Sequence, residues 1–283
     1  MRRIQFIEIH EQPWFPSSIR DEITDTLQFG FRLLKVYAPI IPRLQSALEA
    51  TACRSTAGAA IVDLCSGGGG PWFILSRKLK APTPAGKPQS LQIWLTDKYP
   101  NLVAYQNVAA ASENRIASYP HPVDAMNVPR ELKGFRTMFT SFHHFPPEQA
   151  RAVLQNAVDA GEGIGIFEIT RRAPAAMGLM FTWVSFLLLG TPWVHPFRWS
   201  RLLWTYLVPI IPLVLMFDGV LSCLRTYRPS ELQELVKKLT NSQYRWDIGE
   251  HAGRYGEPRI TYLIGYPQPT LVTDASGGDP SER

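Results

Sequence analysis

At 283 residues, 45% of them hydrophobic, the chain is long enough to bury a full core as one large domain or a domain with an elaboration. Its formal charge of +5 is mild, and the basic residues form no stripe with interleaved aromatics, which argues against a nucleic-acid partner. Cys53, Cys65 and Cys223 are odd in number and far apart, which excludes a disulfide framework, argues against a zinc site and points to a reduced, cytoplasmic compartment.

Met1 to Glu8 starts basic but meets an acid before an apolar run forms, unlike a signal peptide. Ile4 to Ile9 reads as a short strand, and His10 to Pro16 as a proline-bracketed aromatic turn. Ser17 or Ser18 suits the cap of a helix through Leu27, and Pro42 the first residue of a helix to about Ala52. This preface carries no catalytic signature. Trp14 and Phe15 either pack as a layer over the first strand or wall a substrate pocket, since aromatics next to prolines are rigid and already desolvated.

The chain is organised around Ile61-Val62-Asp63-Leu64-Cys65-Ser66-Gly67-Gly68-Gly69-Gly70. A short buried strand runs into four glycines, and Pro71 to Leu79 follows with helical spacing. Strand, glycine turn and helix bring backbone N–H groups against a nucleotide-like ligand. Pro82 to Pro88 is loop by composition, and Leu91 to Thr96 is a second strand ending at Asp97. Tyr105 to Ile116 reads as a helix, Val123 as the end of a brief strand, and Phe135 to Ser141 as a further strand. A helix over Pro147 to Asp159, a strand over Gly163 to Thr170, a helix over Pro229 to Leu239 and two closing strands, Tyr244 to Gly249 and Ile260 to Tyr266, complete the pattern. Strands alternating with helices at this pitch predict a parallel α/β sheet. Thr270 to Arg283 is polar and expected to fray.

From Ala59 to Pro267 the order and spacing resemble the class I S-adenosylmethionine-dependent methyltransferases. That family carries an acid and a glycine turn of the form D-x-G-x-G-x-G, matched here by Asp63 to Gly69 with Cys65 in place of the first glycine. The resemblance implies a Rossmann-like, mostly parallel seven-stranded α/β sheet with helices on both faces, and S-adenosylmethionine as cofactor. It implies cofactor contacts from Asp63, Cys65, Ser66, Gly67, Gly68 and Gly69, from Asp97 on the ribose hydroxyls, and from Asp124 and Ala125 beside the adenine. Ser141 and Phe142, at the end of the fourth strand, would meet the donor, Phe142 by cation–π attraction. Each acid has a plainer role as well, since strand-end Asp commonly caps turns. A nicotinamide-binding unit fits the glycines poorly, and no Gly-Lys-Ser/Thr follows them as a P-loop requires.

His143 and His144 are the candidate general bases, or else hydrogen-bonded core residues. Glu168 is either a satisfied buried carboxyl or a substrate contact at the edge of the fifth strand. The segment Ala173 to Leu224 does not belong to a plain methyltransferase. Met177 to Leu189 and Leu202 to Phe217 carry no charge, with Trp193, Arg198, Trp199, Arg201 and Trp204 at their junction. A hydrophobic lid, a membrane-surface insertion and a transmembrane hairpin all remain open, and Asp218 is either a helix cap or a substrate-facing carboxylate. The expected organisation is a helical preface (1–58), a cofactor-binding core (59–172), the apolar helical insertion (173–224), closing elements of the core (225–269) and a disordered tail (270–283). The expected activity is methyl transfer to a small apolar, lipid-like or polyketide-like acceptor by in-line displacement, with no metal and no nucleic acid. The alternative is a membrane-associated nucleoside-binding protein of the same fold without turnover. The expected location is cytoplasmic, with peripheral contact to the inner membrane face as an open reading; the oligomeric state is left open.

Overall fold

The computed structural model describes residues 1–52, 60–82, 91–112, 115–240, 243–253 and 259–268. Cys53, most of the Pro-rich loop and the polar tail lie outside the described residues. A seven-stranded sheet forms the centre, in the order β3-β2-β1-β4-β5-β7-β6. Its strands are β1 (Ala60–Asp63), β2 (Gln92–Leu95), β3 (Ile116–Ser118), β4 (Phe135–Phe139), β5 (Ile164–Glu168), β6 (Tyr244–His251) and β7 (Ile260–Pro267). The first five are parallel; β7 runs antiparallel to both β5 and β6. This is the Rossmann-like, mostly parallel α/β architecture expected from the sequence.

Helices cover both faces. Ile61 is buried with residues of α2 (Ile41–Ala52), α3 (Trp72–Lys78) and α4 (Leu102–Ala110). Its neighbour Val62 points the other way, into a core with α5 (Pro147–Ala160) and α9 (Pro229–Lys237). The alternation follows from the two-residue period of a strand, and a strand covered on both faces needs apolar residues at successive positions.

Two expected elements are absent. Ile4 to Ile9 forms no strand; Asp218 of α8 (Ile210–Arg225) accepts the N–H groups of Ile9 at 2.8 Å and His10 at 3.1 Å, which holds the segment along α8 instead of in the sheet. The helix expected to run to Ile116 ends at Ala110, and Ile116 to Ser118 is the third strand; Val123 lies in the loop beyond it. Asn101 caps α4 by accepting from Ala104 N–H, and Ser112 Oγ donates to Ala109 O at 2.7 Å and accepts from Ile116 N–H at 3.1 Å, turning the chain back into the sheet.

The preface helix α1 runs from Ser17 to Leu33, past the expected Leu27, and begins after Pro16 without a serine cap. It extends because α6 (Pro174–Gly190) packs on it: a Cβ on Gly30 would come within 2.6 Å of Leu187. A third core joins Ile19 and Ile23 of α1 to Val184 and Leu187 of α6 and Ile211, Val214 and Leu215 of α8. The short α7 (Trp199–Leu202) closes the insertion with a buried ion pair, Arg201 to Asp25 of α1 at 2.7 Å. Arg201, at the junction of the two uncharged runs, is therefore an internal tie.

Candidate active site

Strand order reverses between β1 and β4, and open α/β sheets bind ligands in the crevice at the carboxyl ends of their strands at such a point. A cavity of about 470 Å³ lies there. The turn after β1 forms its base. Cys65, Gly67, Gly69 and Gly70 all have positive φ, from +50° to +96°. Cys65 thus takes up the left-handed conformation that glycine has in the resembled motif, at the steric cost of its Cβ.

Beneath the turn, Asp63 is 1% exposed and accepts from Thr137 Oγ1 at 2.6 Å and Ser66 Oγ at 2.7 Å. Burial outweighs those hydrogen bonds and pushes its pKa up to about 7. Asp97, at the end of β2, accepts Gly67 N–H on Oδ2 at 2.9 Å and Tyr99 N–H on Oδ1 at 2.8 Å. Burial raises this carboxyl too, against those two donors. Each oxygen accepts one backbone donor and has capacity for another, and the residue lines the cavity.

Asp63, Cys65, Ser66, Gly67, Gly68, Asp97, Asp124, Ala125 and Ser141 all line the cavity. Asp124 also closes its own turn, accepting Met126 N–H at 2.9 Å, the plainer role expected of it. Two expected contacts lie elsewhere. Gly69 faces α4, where a Cβ would meet Val108 at 2.7 Å. Phe142 is 1% exposed and packs beside Tyr227 and Phe145 in the core, because the turn Phe142–His144 directs its ring away from the crevice. It offers no face to a bound cation. Phe31, Tyr99, Phe139 and Phe145 are the aromatic groups of the wall.

None of the three expected substrate contacts lines the cavity. Trp14 is 71% exposed on the outer side of the turn, and Phe15 is buried in the core between α1 and the insertion. Glu168 is a satisfied buried carboxyl: it accepts His143 N–H at 3.1 Å and pairs with His143 Nδ1 at 2.8 Å. Burial alone would raise its pKa, but His143 and His144 hold it below the ordinary carboxylate range.

The histidine pair divides. His143 is 1% exposed and lies off the main cavity, on the rim of a smaller chamber of about 120 Å³. His144 lines both spaces and forms an ion pair with Glu11, with Glu8 Oε2 at 3.4 Å. Burial works against its charge, but Glu8 and Glu11 outweigh it and raise the imidazole to about 9. An imidazole whose affinity for its proton is raised in this way is a weaker candidate for a general base. Asp218 lies beside the smaller chamber and pairs with His10 Nδ1 at 2.7 Å; it is neither a helix cap nor a free acid but the anchor of the N-terminal segment.

That segment is what the sequence reading missed. His10, Glu11, Gln12 and Pro13 form one wall of the cavity, and Arg20, Asp21, Thr24 and Gln28 of α1 form the next. Arg20 fixes the wall by donating to His10 O at 2.8 Å and Gln12 O at 2.7 Å while its guanidinium lies over Tyr99. Charges dense in a loop bracketed by prolines were the available signal. Glu11, Asp21, Asp97 and Asp124, with Asp63 beneath the turn, line the cavity against Arg20, Lys98 and the His144 imidazolium, a small acidic excess.

The smaller chamber adjoins the cavity through His10, Leu27, Phe31, Thr140 and His144, which line both. Its apolar wall comes from the insertion: Met180, Trp183, Val184, Val214 and Leu215.

No family model and no curated protein matches the chain. Among solved structures it is similar to the plantazolicin methyltransferase BpumL in complex with SAH, at 10% identity and TM-score 0.45, over 89% of this chain and 96% of that one. It is also similar to PigF with SAH, at 16% identity and TM-score 0.46, over 90% of this chain and 63% of that one. A third is LepI in complex with SAM, at 17% identity and TM-score 0.43, over 78% and 46% of the two chains. At that level of overlap the likeness decides nothing about the chemistry of this chain, which rests on its own sheet order and cavity.

Proposed function

We propose that the chain is an S-adenosylmethionine-dependent methyltransferase acting on a small apolar acceptor. The observation that carries this reading is the Asp97 carboxylate, which ties down the left-handed turn after β1 at the reversal of strand order and lines the cavity. Asp97 would take the ribose hydroxyls, the turn from Cys65 to Gly68 the amino-acid end, and Asp124, Ala125 and Met126 the base. When bound, S-adenosylmethionine supplies a methyl group on a cationic sulfonium centre, and the acidic lining suits that charge. The acceptor would enter the apolar chamber under the insertion, beside His144 and Thr140.

With His144 protonated, the chain's contribution is orientation and exclusion of water; alignment of two reactants alone can supply roughly 7–11 kcal/mol of a barrier. The insertion adds a second proposal, peripheral contact with the cytoplasmic face of a membrane. Pro174–Trp193 is long and apolar enough to span, yet only 17% of its apolar window is buried against the rest of the protein. The second apolar run is bent by 72° between Trp199–Leu207 and Ile210–Arg225, a shape that suits lying in an interface better than crossing it.

Incubation with methyl-labelled S-adenosylmethionine and a lipid extract tests the reading. Label is expected in an apolar product. Binding of the nucleoside without any labelled product would favour a binding protein of the same fold, and no binding would overturn the cofactor assignment.

A further inference from the structure

Glu8, His10 and His144 each offer one potential ligand atom to a common point, and these atoms all lie within 4.8 Å of one another. Glu8 is fully buried. Its Oε1 is 3.0 Å from Arg225 Nη1 and accepts from the Ser222 hydroxyl at 3.0 Å, whereas Oε2 has no hydrogen-bond partner. A carboxylate oxygen taken from water without a donor is costly, and such an atom in a folded protein marks a place where something is held. Glu8 Oε2 lies 3.4 Å from His144 Nδ1 and 3.8 Å from His10 Nδ1. Donors about 2.0–2.1 Å from a tetrahedral centre stand roughly 3.3–3.4 Å apart, so the three groups are close to the spacing a small cation imposes.

The nitrogens that face Glu8 each meet a second carboxylate, His10 Nδ1 that of Asp218 and His144 Nδ1 that of Glu11, so a cation held there would also meet those oxygens. Three carboxylates, Glu8, Glu11 and Asp218, meet one guanidinium, Arg225, around the two rings. The route in is open, because His10, Glu11 and His144 line the main cavity.

We propose that Glu8, His10 and His144 form a binding site for a divalent first-row transition cation at the wall of the cavity. Two imidazoles and a carboxylate favour such an ion over magnesium or calcium, which take oxygen donors. The site stands on its own donor set and does not depend on methyl transfer, in contrast to the sequence-based expectation of no metal.

Tag-free full-length protein, stripped with a chelator, is titrated with Zn²⁺ by calorimetry and with Co²⁺ by visible absorption. One equivalent of Zn²⁺ should bind, Co²⁺ should develop ligand-field bands, and Mg²⁺ at the same concentration should not compete. Glu8→Gln and His10→Asn should each weaken Zn²⁺ binding at least tenfold. Glu8 is a buried partner of Arg225 and its variant is exposed to misfolding; His10 is partly exposed, so His10→Asn, checked by circular dichroism, keeps the test decisive. Absence of stoichiometric Zn²⁺ binding, unchanged affinity in folded His10→Asn, or displacement by Mg²⁺ would overturn the proposal.

Discussion

Asp97 Oδ2 accepts the backbone N–H of Gly67 at 2.9 Å across the gap between β2 and β1. One carboxylate therefore both shapes the glycine turn and lines the cavity. Replacing Asp97 by Ala removes two charge-assisted bonds to a ribose, each contributing roughly 1.5–3 kcal/mol, and frees Gly67 as well. Affinity for the demethylated cofactor should fall at least a hundredfold by calorimetry. Asp97→Asn retains the shape and one acceptor oxygen and should fall less. Equal affinity in wild type and Asp97→Ala would remove this residue from the site.

The glycine turn makes a second, sharper prediction, because its glycines serve different neighbours. A Cβ on Gly68 would meet Thr24 O at 2.7 Å and Thr24 C at 2.9 Å, backbone atoms of α1 that cannot swing aside. Gly68→Ala should push α1 off the turn, lower stability by about 1–3 kcal/mol and open the cavity wall that α1 provides. Cys65 holds a left-handed backbone at φ +57°, so Cys65→Gly should relieve strain and raise stability, by about 1 kcal/mol. Urea unfolding of both variants checks the two signs. Gly68→Ala as stable as wild type would mean that α1 does not rest on the turn.

Asp63 predicts a pH dependence. Its folded pKa is raised to about 7 by burial, whereas an unfolded Asp titrates near 4. Between those values the folded state holds a proton that the unfolded chain has released. The stabilising contribution is thus fully present below about pH 4 and is lost as pH rises through about 7. Asp63→Asn removes this loss, so its stability relative to wild type should rise by roughly 2–3 kcal/mol between pH 5 and pH 8. Parallel pH profiles for the two proteins in urea unfolding would show that Asp63 is ionised in the fold throughout.

The sheet was legible because β1, β2 and β5 are short, largely apolar runs that lead into an acid, and each run needs burial on both faces. β3 was not. Ile116-Ala117-Ser118 is too short to show a period, and it follows a helix that Ser112 ends through its side chain. The glycine turn and Asp97 were legible because backbone conformation and strand-end charge leave local marks. The wall made by His10 to Pro13 was not, because it is set by Asp218, 208 positions away, and by Arg20 on α1. Trp14 and Phe15 show the same limit: adjacent aromatics share one local context, yet one is exposed and the other buried by the insertion. The charge on His144 follows from Glu8 and Glu11 meeting it across the fold, which no spacing reveals.

The insertion gives the last prediction. Leu189 and Trp199 are each 77% exposed, Trp193 66%, and Leu179 and Phe181 lie open on the same helix. Apolar surface on this scale marks a contact with a partner or a bilayer rather than ordinary scatter. The bend of the second run and the Trp and Tyr residues around it suit an interfacial position, where an aromatic ring keeps one edge in water. The wild-type chain should float with liposomes and be released by detergent but not by salt, since apolar burial is not screened. Leu189→Glu combined with Trp199→Glu should stay in the aqueous fraction. Both side chains are exposed, so this variant should keep its circular dichroism and its affinity for the nucleoside. A wild-type chain that stays monodisperse in plain buffer and ignores liposomes would leave the insertion as a lid over the apolar chamber alone.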